Sequence, residues 1–87
     1  MEQVALRLAE PTVWTCVGSR PDAKKPIEVV VRAVEGPLLA STGEGDEAPD
    51  AEPVLVPEGE GRRLSGRHFF VKAASPEGPR LLTVRGL

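Results

Sequence analysis

The sequence contains one cysteine, Cys16, and one histidine, His68, the side chains best suited to nucleophilic chemistry. A catalytic triad would need His68 as the base and either Cys16 or a serine as the nucleophile. Cys16 lies in an apolar segment, and free cysteine is among the most buried residue types, so we predict a structural thiol. Alternation turns His68 away from the face of Phe69, which predicts an exposed or sheet-edge histidine. No spacing joins the two as nucleophile and base, and we predict a protein without catalytic residues that is not an enzyme.

Metal and cofactor sites are not predicted either. Zinc needs three or four ligands, and one cysteine and one histidine on separate strands do not supply them. Residues 42–52 carry five acids, but Glu44, Gly45, Asp46 and Glu47 do not follow the Asp-x-Asp-x-Asp-Gly spacing of a calcium loop. We therefore predict a solvated acidic loop, with weak calcium binding as the open alternative.

Length and composition limit what the chain can be. Eighty-seven residues make one small domain, and 40% hydrophobic with 28% charged residues is normal for a globular protein. A net charge of −2 gives no general argument for binding nucleic acid or membranes. Apolar runs reach only three residues, so no segment is expected to span a bilayer. The first seven residues lack a secretory pattern, and a single cysteine fits synthesis in a reducing compartment.

The elements that must position these residues are predicted to be strands. Residues 27–34 alternate, which places Val29 and Val31 on a core-facing side with Ile27 and Ala33. Residues 12–17 are typical of a strand, and we expect Trp14 and Phe69 to complete the core. Residues 2–9 could form a short helix, but Pro11 ends it and a strand is favoured. Turn signals between short segments predict an all-β fold, a small antiparallel β-sandwich or jelly-roll-like barrel of about 7–8 short strands.

The chain is predicted to form a single β domain over residues 1–87, with a flexible acidic loop at about residues 43–52 that buries nothing. A turn at residues 75–79 predicts a hairpin between the last two strands. Residues 59–87 carry six bases and two acids, a net charge of +4, whereas residues 1–58 carry five bases and eleven acids, a net charge of −6. Such a division favours pairing between copies of the chain.

A series of motifs begins after the alternating strand. Residues 35–42 read EGPLLAST, an acidic glycine-containing loop follows, and residues 54–60 read VLVPEGE. Residues 69–74 read FFVKAA, and the sequence ends in LLTVRGL at residues 81–87. This order resembles small β-sandwich virion proteins of tailed bacteriophages, of the capsid decoration (cement) or head–tail accessory type. The resemblance covers about 60 residues, and the N-terminal 25 residues do not share it.

The resemblance implies a non-enzymatic virion structural protein, made in the host cytoplasm, that stabilises a phage head through protein–protein contacts. The expected partners are the major capsid protein or another virion protein, together with further copies of this chain, a trimer being the first choice. The alternatives are a head–tail or tail accessory protein, or a small cellular β-barrel that binds nucleic acid or carbohydrate. We do not favour nucleic acid, because only Trp14, Phe69 and Phe70 could stack on bases.

Overall fold

The computed structural model describes residues 3–75 and 80–87, and strands account for all of the regular structure there. The eight strands of this described part are β1 (Gln3–Arg7), β2 (Thr15–Ser19), β3 (Ile27–Glu35), β4 (Leu38–Gly43), β5 (Val54–Val56), β6 (Gly61–Gly66), β7 (His68–Ala73) and β8 (Leu81–Arg85). The same residues include no helix long and apolar enough to cross a membrane.

The strands form two four-stranded antiparallel sheets. Sheet A has the order β1-β8-β3-β6, and sheet B has the order β2-β7-β4-β5. The chain therefore pairs its first strand with its last, its second with its seventh, its third with its sixth and its fourth with its fifth. This nested pairing, divided between two sheets, is the jelly-roll arrangement. The predicted all-β class and strand number are confirmed.

The core lies between the two sheets and follows the alternation of β3. Val29, Val31 and Ala33 are fully buried, and Ile27 packs against them at the end of the strand. Phe69 and Val71 of β7 cover them from sheet B. The predicted core positions Val29, Val31 and Phe69 are confirmed. Burying a side chain of this size contributes about 1.5–3 kcal/mol to the free energy of unfolding.

Trp14 is predicted to lie in the core, but the structure places it at the surface. Its side chain is half-buried, and it precedes β2, which begins at Thr15 rather than at residue 12. The preceding residues form a turn instead, in which the Val13 amide donates to the Glu10 carbonyl oxygen at 3.1 Å. Trp14 then lies on the surface, with Nζ of Lys72 4.8 Å from its ring centroid. Tryptophan is large enough that full burial is uncommon, and a neighbouring cation stabilises the exposed ring.

The predicted C-terminal hairpin is also wrong. β7 belongs to sheet B and β8 to sheet A, so the two strands do not pair. The turn predicted at residues 75–79 lies largely outside the described residues. Between Gly66, the last residue of β6, and His68, the first of β7, the chain passes from sheet A to sheet B. There the Arg67 guanidinium donates to the carbonyl oxygens of Ala23 and Lys24, both at 3.3 Å, which holds the crossover in place. Strand alternation is the same in a hairpin and in a crossover, so the pattern could not separate them.

Candidate protein-interaction surface

The outer face of sheet B carries the residues that sequence analysis singled out for chemistry. Phe69 and Val71 face the core, so alternation turns His68, Phe70 and Lys72 of β7 outward. Strand pairing arranges three rows across this face. The rows are Trp14, Lys72, Leu39 and Leu55; then Cys16, Phe70 and Ser41; then Ser19, His68 and Gly43.

Three polar side chains from the second and third rows form a hydrogen-bonded cluster. Oγ of Ser19 lies 2.9 Å from Nδ1 of His68 and 3.3 Å from Sγ of Cys16. Residues three apart on a regular strand face opposite sides, but a β-bulge between Cys16 and Gly18 shifts the register by one residue. The bulge turns Val17 toward the core and places both Cys16 and Ser19 on the outer face.

Two sequence predictions fail at this cluster. His68 is only 6% exposed rather than open to solvent, and Cys16 is exposed rather than buried. Cys16 and His68 lie on separate strands, but both side chains contact the Ser19 hydroxyl, so the structure brings them together. Sequence analysis missed Ser19. Gly18 was the available signal, since a glycine inside a β-branched run often marks a bulge.

The chemistry of the cluster is limited. The contact between Ser19 and His68 has the length of a nucleophile–base hydrogen bond. No group of three or more histidine, cysteine, aspartate or glutamate side chains in the described residues could hold a metal ion. The predicted absence of catalysis and of cofactors stays a prediction.

The acidic segment between β4 and β5 folds back over Ser41 and Gly43, the β4 members of the second and third rows. Oγ of Ser41 donates to the Ala51 carbonyl oxygen at 2.7 Å, and the amide of Ala51 donates back to the Thr42 carbonyl oxygen at 3.1 Å. A Cβ built on Gly43 would lie 2.8 Å from the Ala48 carbonyl oxygen and 3.2 Å from the Phe70 ring. These contacts enclose Phe70, which is 1% exposed although it lies outside the main core cluster.

The prediction that residues 43–52 bury nothing is therefore wrong. Gly43 is the last residue of β4 and is itself buried. The backbone of Ala48 and Pro49 lies close against Gly43, next to the Phe70 ring, so the segment covers part of the sheet. Composition indicated a solvated loop because most of its side chains are acidic, and those remain exposed. The flexibility of the segment stays a prediction.

The first row is left uncovered, and we call its residues Trp14, Lys72, Leu39 and Leu55 the open stripe. Leu55 is 53% exposed on the edge strand β5, and Leu39 and Trp14 are half-buried. Lys72 lies between Leu39 and Trp14, where its ammonium group lies close to the Trp14 ring. The stripe thus combines an aromatic ring, two leucines and one cation, the composition that protein interfaces favour.

The outer face of sheet A has a different character. Strand alternation, together with a β-bulge between Ala33 and Glu35 of β3, sets four arginines and two glutamates on this face: Arg7, Arg32, Arg63, Arg85, Glu28 and Glu35. Val30 lies directly between Arg63 and Arg85 in the register of the sheet. This face is charged and solvent-exposed, whereas the open stripe is mostly apolar.

Comparison with protein-family models, with curated proteins and with solved structures finds no match to this chain. The described residues define an eight-stranded jelly-roll sandwich with one apolar and one basic outer surface. The fold class of this protein is therefore assigned from its strand topology and its outer surfaces.

Proposed function

We propose that this chain is a non-enzymatic virion structural protein that decorates or cements a phage capsid. The observation that carries the proposal is the open stripe, an apolar surface left exposed on the outer face of sheet B. Tryptophan is enriched among the residues that dominate binding energy at protein interfaces, and Trp14 lies at one end of this stripe. The exposed apolar residue Leu55 extends this surface to the sheet edge.

The edge of sheet B favours side-chain contacts over strand addition. β5 has only three residues, and Pro53 and Pro57 flank it. Proline has no amide hydrogen, and short edge strands resist uncontrolled pairing with other chains. A partner is thus expected to lie across the open stripe rather than to extend the sheet.

The fold agrees with this role by analogy. Jelly rolls form many viral capsid domains, although they also form lectin and cupin domains, so the fold alone does not decide the function. Bound across capsomer junctions, the protein would stabilise the intact shell because it binds the assembled lattice preferentially. The partners in this proposal are the major capsid protein and further copies of the chain, with a trimer as the first choice, and the site of action is the virion.

A capsid gene in the genome that encodes this chain would supply the test, which is co-sedimentation with empty shells of that capsid protein. The wild-type protein should pellet with the shells. Trp14→Ala and Leu55→Ala should each weaken binding by about tenfold or more, because both truncate the open stripe. Val34→Ala is the matched control, since Val34 is an exposed valine on sheet A, at 41% exposure. Shells that bind neither the wild-type protein nor its control variant would contradict the proposal.

A small carbohydrate-binding module is the second candidate, and the half-exposed Trp14 ring is the observation that favours it. Jelly-roll lectins use the same fold, and a flat exposed ring can lie against a sugar. Glycan-array binding that disappears in Trp14→Ala, without any capsid binding, would favour this candidate over the virion role.

A further inference from the structure

A shallow depression of about 310 Å³ lies on the outer face of sheet A. Val30 and Gly86 form its apolar part, and Arg63 and Arg85 line it with Glu28. Arg63 lies beside Val30 on β6, and Arg85 lies beside Val30 on β8, so the two guanidinium groups flank one valine.

The arginines of the depression form only weak ion pairs with other described residues. Glu28 reaches Arg63 only at 3.9 Å, between side chains that are 62% and 77% exposed. Among the described residues, Arg85 forms no ion pair. Arg32 lies outside the depression, two residues from Val30 on the same face, and donates to the Gly59 carbonyl oxygen at 3.3 Å. An exposed pair of this kind contributes little to stability, so these arginines remain available to an outside anion.

The acidic segment over sheet B has the complementary character. Of its five acids, Glu44 reaches Arg67 at 3.8 Å and Asp50 accepts a hydrogen bond from the Glu44 amide at 3.2 Å. Asp46, Glu47 and Glu52 make no ion pair with any described residue, and all three are exposed.

We propose that the arginine depression of one copy binds the acidic segment, residues 44–52, of a second copy. Arg63 and Arg85 would pair with carboxylates of the segment, and Val30 would contact its apolar groups. Guanidinium groups suit this role because they bind carboxylates through two parallel hydrogen bonds. This inference deepens the self-association in the proposed function and rests on that part of it, but it uses a surface other than the open stripe.

The geometry predicts a head-to-tail contact. The depression and the acidic segment lie on opposite outer faces of the sandwich, so one copy cannot satisfy itself, and each copy offers both halves of the contact. Such heterologous contacts close into rings or continue as open chains. A trimeric ring would reach a plateau at three times 9.3 kDa, about 28 kDa.

The test is sedimentation of the isolated chain across concentration. We expect association near 20 mM salt that weakens at about 0.5 M salt, because exposed charge pairs are screened. Arg63→Glu with Arg85→Glu should weaken association about tenfold or more, and so should Asp46→Lys with Glu47→Lys. An equimolar mixture of these two double variants should associate again, because the reversed charges then match across the contact.

Two further variants sharpen this test. Glu28→Gln should strengthen association, since it removes the only acid that competes within the depression. Lys24→Glu with Lys25→Glu is the matched control, with the same change in net charge on exposed residues away from the depression, and it should associate as the wild type does.

A wild-type chain that stays monomeric at low salt, or a mixture of reversed variants that fails to associate, would overturn the inference. Equal association of the wild type and the Arg63→Glu, Arg85→Glu variant would overturn it as well. Capsid binding by the open stripe is measured separately, so its loss with intact self-association would count against the virion role alone.

Discussion

The outer faces of the two sheets obey the same alternation but end in different environments. On sheet A, the side chains that alternate with Val29 and Val31 face the solvent, and Glu28 and Arg32 among them are exposed. On sheet B, the side chain next to Phe69 is Phe70, which points to the opposite side and is buried just as completely. The difference is the acidic segment, which adds a local third layer over part of sheet B, whereas no described residue covers the outer face of sheet A in this way.

That third layer also explains the position of the open stripe. Residues 48–51 pack against Ser41 and Gly43, in the rows of Phe70 and His68, whereas Leu55, in the row of Lys72, is exposed. The exposed apolar surface of the open stripe therefore lies next to the covered part of sheet B that contains Phe70. Sheet A has no such boundary, and its exposed charges suit an electrostatic contact rather than an apolar one.

The largest expected effects separate the two phenylalanines. Phe69→Ala should lower the free energy of unfolding by about 3–5 kcal/mol, because it opens a cavity between two packed sheets. Phe70→Ala should cost less, about 2–3 kcal/mol, because only a loop covers that ring and a loop can collapse onto the space. Urea denaturation of both variants measures the difference. A larger loss for Phe70→Ala would mean that the third layer, rather than the inter-sheet core, dominates stability.

A valine pair makes the same comparison within sheet A. Val31→Ala should cost about 2–3 kcal/mol, since Val31 is fully buried. Val30→Ala, one residue away on the solvent side, should stay within about 0.5 kcal/mol of the wild type. Thermal or urea unfolding checks both, and similar losses at the two positions would show that the faces of β3 are assigned wrongly.

Replacing residues 44–52 with a short Gly/Ser linker should have an intermediate effect. The far-UV circular dichroism spectrum should be unchanged, because the eight strands do not need the segment in order to pair. Stability should fall by about 1–2 kcal/mol, because part of the Phe70 surface becomes exposed. Complete unfolding of the variant would show that the segment is part of the folding core, and unchanged stability would show that it covers nothing.

The smallest effects are expected at the polar cluster. Ser19→Ala should lower the free energy of unfolding by about 1 kcal/mol, since it removes one hydrogen bond to a buried imidazole.

The double variant Cys16→Ala with His68→Gln should keep capsid binding, and the purified wild-type protein should contain no stoichiometric zinc. Metal analysis and co-sedimentation test these expectations, and stoichiometric zinc would overturn the prediction that the pair has no chemistry.

The fold could be predicted further from the sequence than the candidate surface could. The alternation of β3 and the proline and glycine boundaries indicated the strands and the core valines, because burial between two sheets leaves a regular pattern. His68 and Phe70 could not be placed in the same way. The burial of Phe70 depends on a segment that folds back over the sheet beside it, and alternation describes only the two faces of a strand.

The bulge at Cys16–Gly18 and the crossover at Arg67 were beyond prediction for a related reason. Each changes which face or sheet a residue joins without changing the local composition. Trp14 was assigned to the core on size alone, although aromatic size also suits an exposed binding surface. The open stripe was therefore missed because three of its members come from separate strands that only the topology brings together.

Fluorine NMR of the protein labelled with 4-fluorophenylalanine tests the third layer most directly, because the chain has only two phenylalanines, Phe69 and Phe70. Single replacement of each by leucine assigns the two resonances. In the wild-type protein neither resonance should move when H₂O is exchanged for D₂O, since both rings are buried. In the variant that lacks residues 44–52, the Phe70 resonance alone should acquire a solvent shift. A Phe70 resonance that already responds to solvent in the wild-type protein would contradict the account.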